Sequence, residues 1–216
     1  MTVIDIEQID YKNEIYRKLI HFASLSIPIV YYHIPQEPAL WILGVMTFIS
    51  LSVDIGRFTN EKIRNLLYPV FGGLFRKHEL DPKKWNLSGS SYLLIAAFIC
   101  VLIFPKIIVV TCMSFLIIGD AIAALIGRKY GKTPFLKKSF EGTFAFFVCT
   151  ILIVLVIPKQ TGSIEEYMTG FVCGAIAAII ENVSSGWVDD NISIPVFTGI
   201  IMWGLYLFFS LPLTLN

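Results

Sequence analysis

Four ionisable side chains lie inside long apolar segments of the chain, where a charge is costly: His21, Asp54, Asp120 and Glu181. His21 follows Arg17 and Lys18 at the spacing that places all three on one face of a helix. Ionisable groups inside apolar spans usually face a cavity or a partner, and they mark functional sites. We therefore predict one polar site built around them. The alternative is a set of structural ion pairs, for example Arg17 with Asp54 or Glu181.

A basic segment that contains several glycines runs from Gly119 to Gly142. It carries these cations: Arg128, Lys129, Lys132, Lys137 and Lys138. Glycines allow a tight backbone, and Ser139 can cap a following helix whose N-terminus favours an anion. We predict a polyphosphate-binding segment, with an ordinary cytosolic loop as the alternative. A P-loop is excluded, because too few residues separate Gly127 from Gly131.

An acidic segment, Asp189-Asp190-Asn191, lies nearer the C-terminal end of the chain. Paired carboxylates beside an amide can hold Mg²⁺, which prefers oxygen ligands and bridges to phosphates. One of the carboxylates could instead accept a proton from a hydroxyl nucleophile in phosphoryl transfer. The simpler alternative is a solvated turn that caps the last helix.

Apolar segments long enough to cross a bilayer separate these polar stretches. Of 216 residues, 56% are hydrophobic and 15% are charged, whereas a soluble domain carries roughly 25% charged residues. We predict an all-α, polytopic membrane helix bundle of about seven transmembrane helices, forming a single domain over residues 1–216. The predicted spans are 18–34, 38–55, 89–104, 106–127, 140–157, 166–184 and 193–213.

The cations give this arrangement an orientation. Of the 17 Lys and Arg residues, all except Lys106 and Lys159 fall on one side of the seven predicted spans. The positive-inside rule then places the N-terminus and the polar site in the cytosol and the C-terminus outside. Residues 63–75 have one apolar face and basic ends, which is typical of a helix in the cytosolic interface. Such a helix could gate lipid entry or act as a simple anchor.

Small residues at helical spacing predict which helices pack closely. They line one face of the fourth span (Gly119, Ala123, Gly127) and one face of the sixth (Gly170, Gly174, Ala178). Faces of this kind let helix backbones approach each other in lipid. We expect these two helices to form the centre of the bundle.

Four blocks of residues occur in order along most of the chain. They are Arg17-Lys18-x-x-His21; Ser88-Gly89-Ser-Ser-Tyr92; Gly119-Asp120 through Lys138-Ser139-x-Glu141-Gly142; and Glu181 through Asp189-Asp190-Asn191 to Pro195. Together they resemble the CTP-dependent lipid-alcohol kinases, a family that includes dolichol kinase, phytol kinase and the yeast-type CTP-dependent diacylglycerol kinase. The third and fourth blocks are the specific ones. The resemblance implies transfer of the γ-phosphate of CTP to the hydroxyl of a membrane lipid alcohol.

The resemblance and the residue types together lead to expected roles. We expect Mg²⁺ to be held by Asp120, with Glu141 or Asp189. Asp190 or Asp189 would orient or deprotonate the substrate hydroxyl, and His21 would stabilise the transferred charge. The expected nucleotide-binding residues are Arg17, Lys18, Gly119, Arg128, Lys132, Lys138, Ser139 and Asn191. The expected partners are a nucleotide, a lipid alcohol and membrane lipid, with no nucleic acid.

Two other classes of function stay open. Phosphatidate cytidylyltransferases are distantly similar, but they carry Pro-Gly-His-Gly-Gly and Asp-Arg-x-Asp where this chain has Lys-Ser-Phe-Glu-Gly and Asp-Asp-Asn. A small transporter could use Asp54, Asp120 and Glu181 as a proton or cation relay. The almost wholly apolar outer halves of the spans count against a transport path.

Overall fold

Helices make up nearly all of the regular structure. A computed structural model describes residues 11–71, 86–184 and 189–213. Its helices are α1 (Tyr11–Ala23), α2 (Ser26–His33), α3 (Gln36–Thr59), α4 (Glu61–Phe71), α5 (Gly89–Ile103), α6 (Lys106–Ser114), α7 (Asp120–Tyr130), α8 (Phe140–Val156), α9 (Ile164–Val183) and α10 (Asp190–Phe208). A π-helical turn, Phe115–Gly119, joins α6 to α7, and a short hairpin pairs β1 (Pro134–Phe135) with β2 (Lys138–Ser139).

Each of the seven predicted spans contains helix, which confirms the all-α prediction. Within the described ranges, three helices are long and apolar enough to cross a membrane: Gln36–Thr59, Lys106–Tyr130 and Asp190–Phe208. The second of these comprises α6, the π-helical turn and α7. The shorter apolar helices are α5 and α8. Seven membrane crossings stay a prediction, because only three of the described helices are both long enough and apolar enough to cross a membrane.

The first predicted span is two helices instead of one. Helix α1 ends at Ala23 and α2 begins at Ser26, with short-range turn bonds such as Ser24 N–H to His21 C=O between them. Pro28 is the physical reason. In a continuous helix its ring would clash with the carbonyl four residues earlier, whereas in the first turn of α2 its missing N–H costs nothing.

The Lys106–Tyr130 helix is the core of the bundle, since 83% of its most apolar window is buried. The small-residue faces on α7 and α9 both meet α8. A methyl group on Gly119 would lie 2.7 Å from the Phe146 ring, and one on Gly170 would lie 2.8 Å from Val154. The predicted close packing is therefore present, but α8 lies between the two helices that were expected to be central.

The predicted interfacial helix is described in part, as α4. Its Ile63 packs against α3, where a methyl group on Gly56 would lie 3.1 Å from Ile63 Cδ1, while Leu66 is 74% exposed. Residues 72–75 of the predicted helix lie outside the described ranges, as do the cations Arg76, Lys77, Lys83 and Lys84. The lipid-gating and anchoring alternatives both stay predictions.

Candidate active site

Charged and polar side chains from α1, α7, β2, α9 and α10 meet at one end of the bundle. We call this group the charge cluster, and its members are Lys18, His21, Asp120, Lys138, Glu181, Asp190 and Asn191. Its members are widely separated in sequence, so only the packing of the helices brings them together. The sequence predicted a catalytic, nucleotide-binding or metal-binding role for all of them except Glu181, which was predicted only as a member of the polar site.

One half of the charge cluster is centred on Asp120. Lys18 Nζ donates to Asp120 Oδ2 at 2.5 Å, and His21 Nε2 lies 3.7 Å from the same oxygen. The side chains of Lys18 and Asp120 are almost fully buried. Asp120 directly follows the π-helical turn Phe115–Gly119, a local widening that often occurs at functional sites. The predicted helix face of Arg17, Lys18 and His21 thus directs two of its members to Asp120.

The other half is centred on Lys138. Its Nζ donates to Glu181 Oε1 at 2.5 Å and lies 3.9 Å from Asp190 Oδ2. Burial alone would lower the pKa of Lys138, but the carboxylates of Glu181, Asp190 and Asp120 outweigh it and raise that pKa. Lys138 therefore stays protonated at neutral pH, available to an anion that enters between it and the acids.

The β1–β2 hairpin holds Lys138 in position. Its strands pair Phe135 with Lys138, and Leu136 at the tip adopts a left-handed φ of 51°. Asn182 Oδ1 accepts from the backbone N–H groups of Lys137 at 2.9 Å and Lys138 at 3.3 Å. Asn182 is fully buried and had no predicted role. An amide beside Glu181 in an otherwise apolar helix was the sequence signal for it.

The N-terminus of α8 directly follows the β1–β2 hairpin and packs against α7. As predicted, Ser139 caps this helix, because its Oγ accepts from Gly142 N–H at 3.2 Å. Gly127 lies opposite, where a methyl group would be 3.2 Å from Ser139 Oγ and 3.6 Å from Gly142 Cα. The glycines of the basic segment therefore permit α7 and the start of α8 to approach closely.

Several buried polar atoms of the charge cluster make no hydrogen bond within the described part of the chain. They are Glu181 Oε2, Asn191 Oδ1 and His21 Nε2. A buried polar atom left without a partner costs about 1–3 kcal/mol. Such atoms call for an explanation, and an unoccupied ligand position is a frequent one. Their concentration here indicates a binding site.

A second layer of ion pairs lies behind Lys18. Arg17 donates to the buried carboxylate of Glu14 at 2.6 Å, and Arg128 Nη1 lies 3.7 Å from Glu14 Oε2. Burial would raise the pKa of Glu14, but Arg17, Lys18 and Arg128 outweigh it and lower that pKa. Arg17 therefore pairs with Glu14. The alternative prediction, in which Arg17 forms an ion pair with Asp54 or Glu181, is wrong. Glu14 was missed, although its spacing from Arg17 was a usable signal.

The remaining predicted site residues make other contacts. Both carboxylate oxygens of Glu141 accept from Thr133, which ties α8 to the loop before β1. Asp189 caps α10 by accepting from Asn191 N–H at 2.9 Å and from Asn191 Nδ2 at 2.6 Å. Lys132 is exposed on the loop. Their predicted catalytic, metal-binding and nucleotide-binding roles stay predictions.

Comparison with known proteins adds evidence about the family of this chain. The chain is 32% identical over 192 residues to an uncharacterized protein of Rickettsia prowazekii, covering 87% of this chain and 92% of that one. It is 28% identical over 219 residues to CTP-dependent diacylglycerol kinase 1 of Schizosaccharomyces pombe, covering 94% and 98% of the two chains. A phytol kinase of Synechocystis is 29% identical over 96 residues, covering 41% of each chain.

The chain belongs to the CTP-dependent lipid kinase family. This confirms the predicted family and makes the protein a lipid kinase. With three helices of membrane-spanning length and composition in the described ranges, it is also an integral membrane protein. No family profile matches the sequence, and no solved structure matches it.

The lipid kinase has oxygen ligands suitable for Mg²⁺, but no complete cage. Among the described residues, no group of three or more His, Cys, Asp and Glu side chains lies close enough to hold a metal ion. Mg²⁺ commonly takes one or two carboxylates and shares substrate phosphates and water for the rest. The unpaired oxygens of Glu181 and Asn191, beside Asp190, fit that shared mode.

Asp54 of the lipid kinase belongs to a separate buried group, which we call the Asp54 group. Asp54 Oδ1 accepts from Arg57 Nε at 2.8 Å, and Oδ2 accepts from Ser88 N–H at 2.8 Å and from Ser91 Oγ at 2.6 Å. Arg57 Nη2 also donates to Asn86 C=O at 2.8 Å. The Ser88–Tyr92 block of the family resemblance therefore satisfies a buried acid at the start of α5.

Proposed function

We propose that this lipid kinase transfers the γ-phosphate of CTP to the hydroxyl of a membrane lipid alcohol, at the cytosolic face. The observation that carries the proposal is the charge cluster, in which cations and acids alternate around unpaired buried oxygens at one end of an apolar bundle. A water-soluble nucleotide and a membrane-embedded hydroxyl can meet only at such a boundary. The positive-inside distribution of the cations supports the cytosolic side.

The cations of the site suit a polyphosphate. Lys18 and Lys138 each bind an acid of the charge cluster, and Arg17 and Arg128 bind the nearby Glu14. Fixed cations of this kind stabilise the charge that spreads over the transferred phosphoryl group. We propose that the nucleotide phosphates enter beside Lys138 and Lys18, and that the start of α8 adds its helix dipole.

The acids supply the remaining functions. Asp190 lies beside Lys138, so we propose that it orients or deprotonates the lipid hydroxyl, while Asp189 caps α10. We place Mg²⁺ next to Glu181 and Asn191, where it would neutralise phosphate charge. Asp120 then positions Lys18 and His21, and we propose it as a further ligand of the metal ion.

The test uses purified protein in liposomes with Mg²⁺ and a panel of phytol, polyprenol and diacylglycerol. CTP is labelled at either the γ- or the α-phosphate, and unlabelled ATP serves as a competitor. The expected result is γ-label in one of the lipids, with loss of transfer when EDTA removes Mg²⁺. Label from the α-phosphate would instead identify a cytidylyltransferase. Absence of label in every lipid of the panel would contradict the proposal.

A further inference from the structure

An apolar groove with a volume of about 450 Å³ lies along the side of the bundle, between α2 and α8. Its floor is formed by α6, with Val110 and Ser114, and by the π-helical turn that follows, with Ile118. We call it the lateral groove. The volume falls within the range of about 300–1,000 Å³ that is usual for ligand pockets.

Each wall of the lateral groove is one face of a helix. The α2 wall consists of Leu25, Pro28, Ile29 and Tyr32, and the α8 wall consists of Cys149, Leu152, Ile153 and Val156. The floor residues follow one another at intervals of four. The groove therefore runs parallel to the helices for about 12 Å, given a rise of 1.5 Å per residue. A channel of this shape suits an extended hydrocarbon chain.

One end of the lateral groove lies at about the same level along the bundle as the charge cluster. Ile118 precedes Asp120 by two residues, and Leu25 lies in the turn between α1 and α2, four residues after His21. His21 itself lies 3.7 Å from Asp120. The opposite end lies at His33 and Pro158, at the far ends of α2 and α8. A chain in the groove would thus have one terminus within reach of the charged groups and the other directed away from them.

We propose that the lateral groove binds the hydrocarbon tail of the substrate alcohol and directs its hydroxyl into the charge cluster. The occupant is the substrate tail instead of bulk lipid, because one end of the groove lies level with the charged groups at which the hydroxyl must react. The inference rests on the proposed function for the identity of the head group. It adds where the tail lies, and it identifies the residues that select it.

The native cysteines allow a test that does not depend on phosphoryl transfer. All four are free, and Cys149 is partly exposed in the groove, whereas Cys100, Cys112 and Cys173 are fully buried. Wild-type protein in phosphatidylcholine vesicles is treated with N-ethylmaleimide, and modification of each cysteine is followed by peptide mass spectrometry. Phytol, a polyprenol or dioleoylglycerol is added, each beside its O-methyl ether as a matched control.

The expected result is that the alcohol phosphorylated in the γ-label assay slows modification of Cys149, while its ether does so less. Equal protection by alcohol and ether would mean that the groove takes any lipid chain, which overturns the inference. Absence of protection by an alcohol that is phosphorylated would also overturn it and leave the proposed function standing. Protection without any phosphorylation would support the groove and contradict the proposed function.

A pair of serine variants provides a kinetic test. Ser114 Oγ donates to the carbonyl of Val110 at 2.7 Å on the groove floor, and Ser52 Oγ donates to the carbonyl of Phe48 at 2.7 Å on an exposed face of α3. Ser114→Phe should raise KM for the lipid about tenfold, the loss expected when two CH₂ groups leave their contacts. Turnover and KM for CTP should be unchanged, and Ser52→Phe should change none of them. Equal effects of the two variants would overturn the inference.

Discussion

The Asp54 group and the charge cluster both bury carboxylates beside cations in a membrane protein. They differ in how many of their buried oxygens accept a hydrogen bond. Both oxygens of Asp54 accept hydrogen bonds, and the guanidinium of Arg57 is fully buried against it. In the charge cluster, Glu181 Oε2 and Asn191 Oδ1 are buried without a hydrogen bond from any described residue. The two groups are near neighbours, since a methyl group on Gly89 would lie 3.7 Å from Asn191 Nδ2.

The difference separates a structural acid from a functional one. A buried carboxylate is stable only when its oxygens are paired, so complete pairing within the chain leaves no capacity for a ligand. A buried carboxylate with an unpaired oxygen can still bind a metal ion, but the unpaired oxygen lowers the stability of the protein. Sequence position alone did not separate Asp54 from Asp120, because both lie in apolar segments near the same predicted membrane face.

The largest expected effect is that of Asp120→Asn, which keeps the side-chain size and removes the charge. Lys18 and His21 lose the carboxylate that positions them. Turnover should fall about 10²–10³-fold, as when other electrostatic groups are removed from active sites. The measurement is γ-phosphate transfer per folded molecule, with helicity checked by circular dichroism. Turnover near wild type would remove Asp120 from the site.

Lys138→Met should lower kcat/KM for CTP about 10²-fold, because it removes a fixed cation from the phosphate position. Lys137→Met is the matched control. It removes the same charge from the adjacent residue, whose Nζ donates to the carbonyl of Val183 at 2.9 Å instead of to the charge cluster. Steady-state kinetics at constant ionic strength should show little change for Lys137→Met. Equal losses in both variants would mean that only the total charge of the hairpin matters.

Asp54→Asn should act on stability instead of chemistry. Breaking a buried ion pair commonly costs about 3–5 kcal/mol, because the partner charge is left uncompensated. The midpoint of thermal inactivation in detergent should fall, while turnover per folded molecule stays at the wild-type value. If Asp54→Asn instead kept its thermal midpoint and lost as much turnover as Asp120→Asn, Asp54 would be a functional acid and the contrast between the two groups would be wrong.

Glu141→Gln should have the smallest effect of the series. Its carboxylate accepts from Thr133 N–H at 3.0 Å and from Thr133 Oγ1 at 3.0 Å, and the amide oxygen can keep one of these bonds. The Mg²⁺ concentration for half-maximal activity should not change. If Glu141 were instead a metal ligand, as the family resemblance implies, that concentration would rise by about 10–100-fold or more.

Much of the architecture was predictable from local signals. Apolar length located α3, α5, α8, α9 and the Lys106–Tyr130 helix to within a few residues, and Ser139 was recognised as a helix cap. Several features were not predicted, and the β1–β2 hairpin is one of them. The break before Pro28 depends on where a proline falls within a turn. The position of α8 between α7 and α9 depends on which small-residue face meets which partner.

The membership of the site was predictable, whereas its pairings were not. The sequence placed His21 and Asp120 in one site because charge is costly in an apolar span. It added Lys18 from the helix face of His21, Lys138 from the basic segment and Asp190 from the acidic segment. Their partners were uncertain, since Lys18 and Asp120 are 102 positions apart and Lys138 and Glu181 are 43 apart. Asn182 was missed for the same reason, because its hydrogen bonds go to a hairpin that local patterns did not reveal.

The sequence by itself determined that this is a helical membrane protein and that it resembles CTP-dependent lipid kinases, and it predicts that nearly all of the cations lie on one side of the membrane. Those properties follow from the composition and order of residues along the chain. Only the tertiary structure decided which acid is paired and which keeps unpaired oxygens, and where an apolar groove lies between α2 and α8. Hydrogen-bond completion and groove shape depend on distances between helices that are far apart in sequence, so neither can be derived from residue order alone.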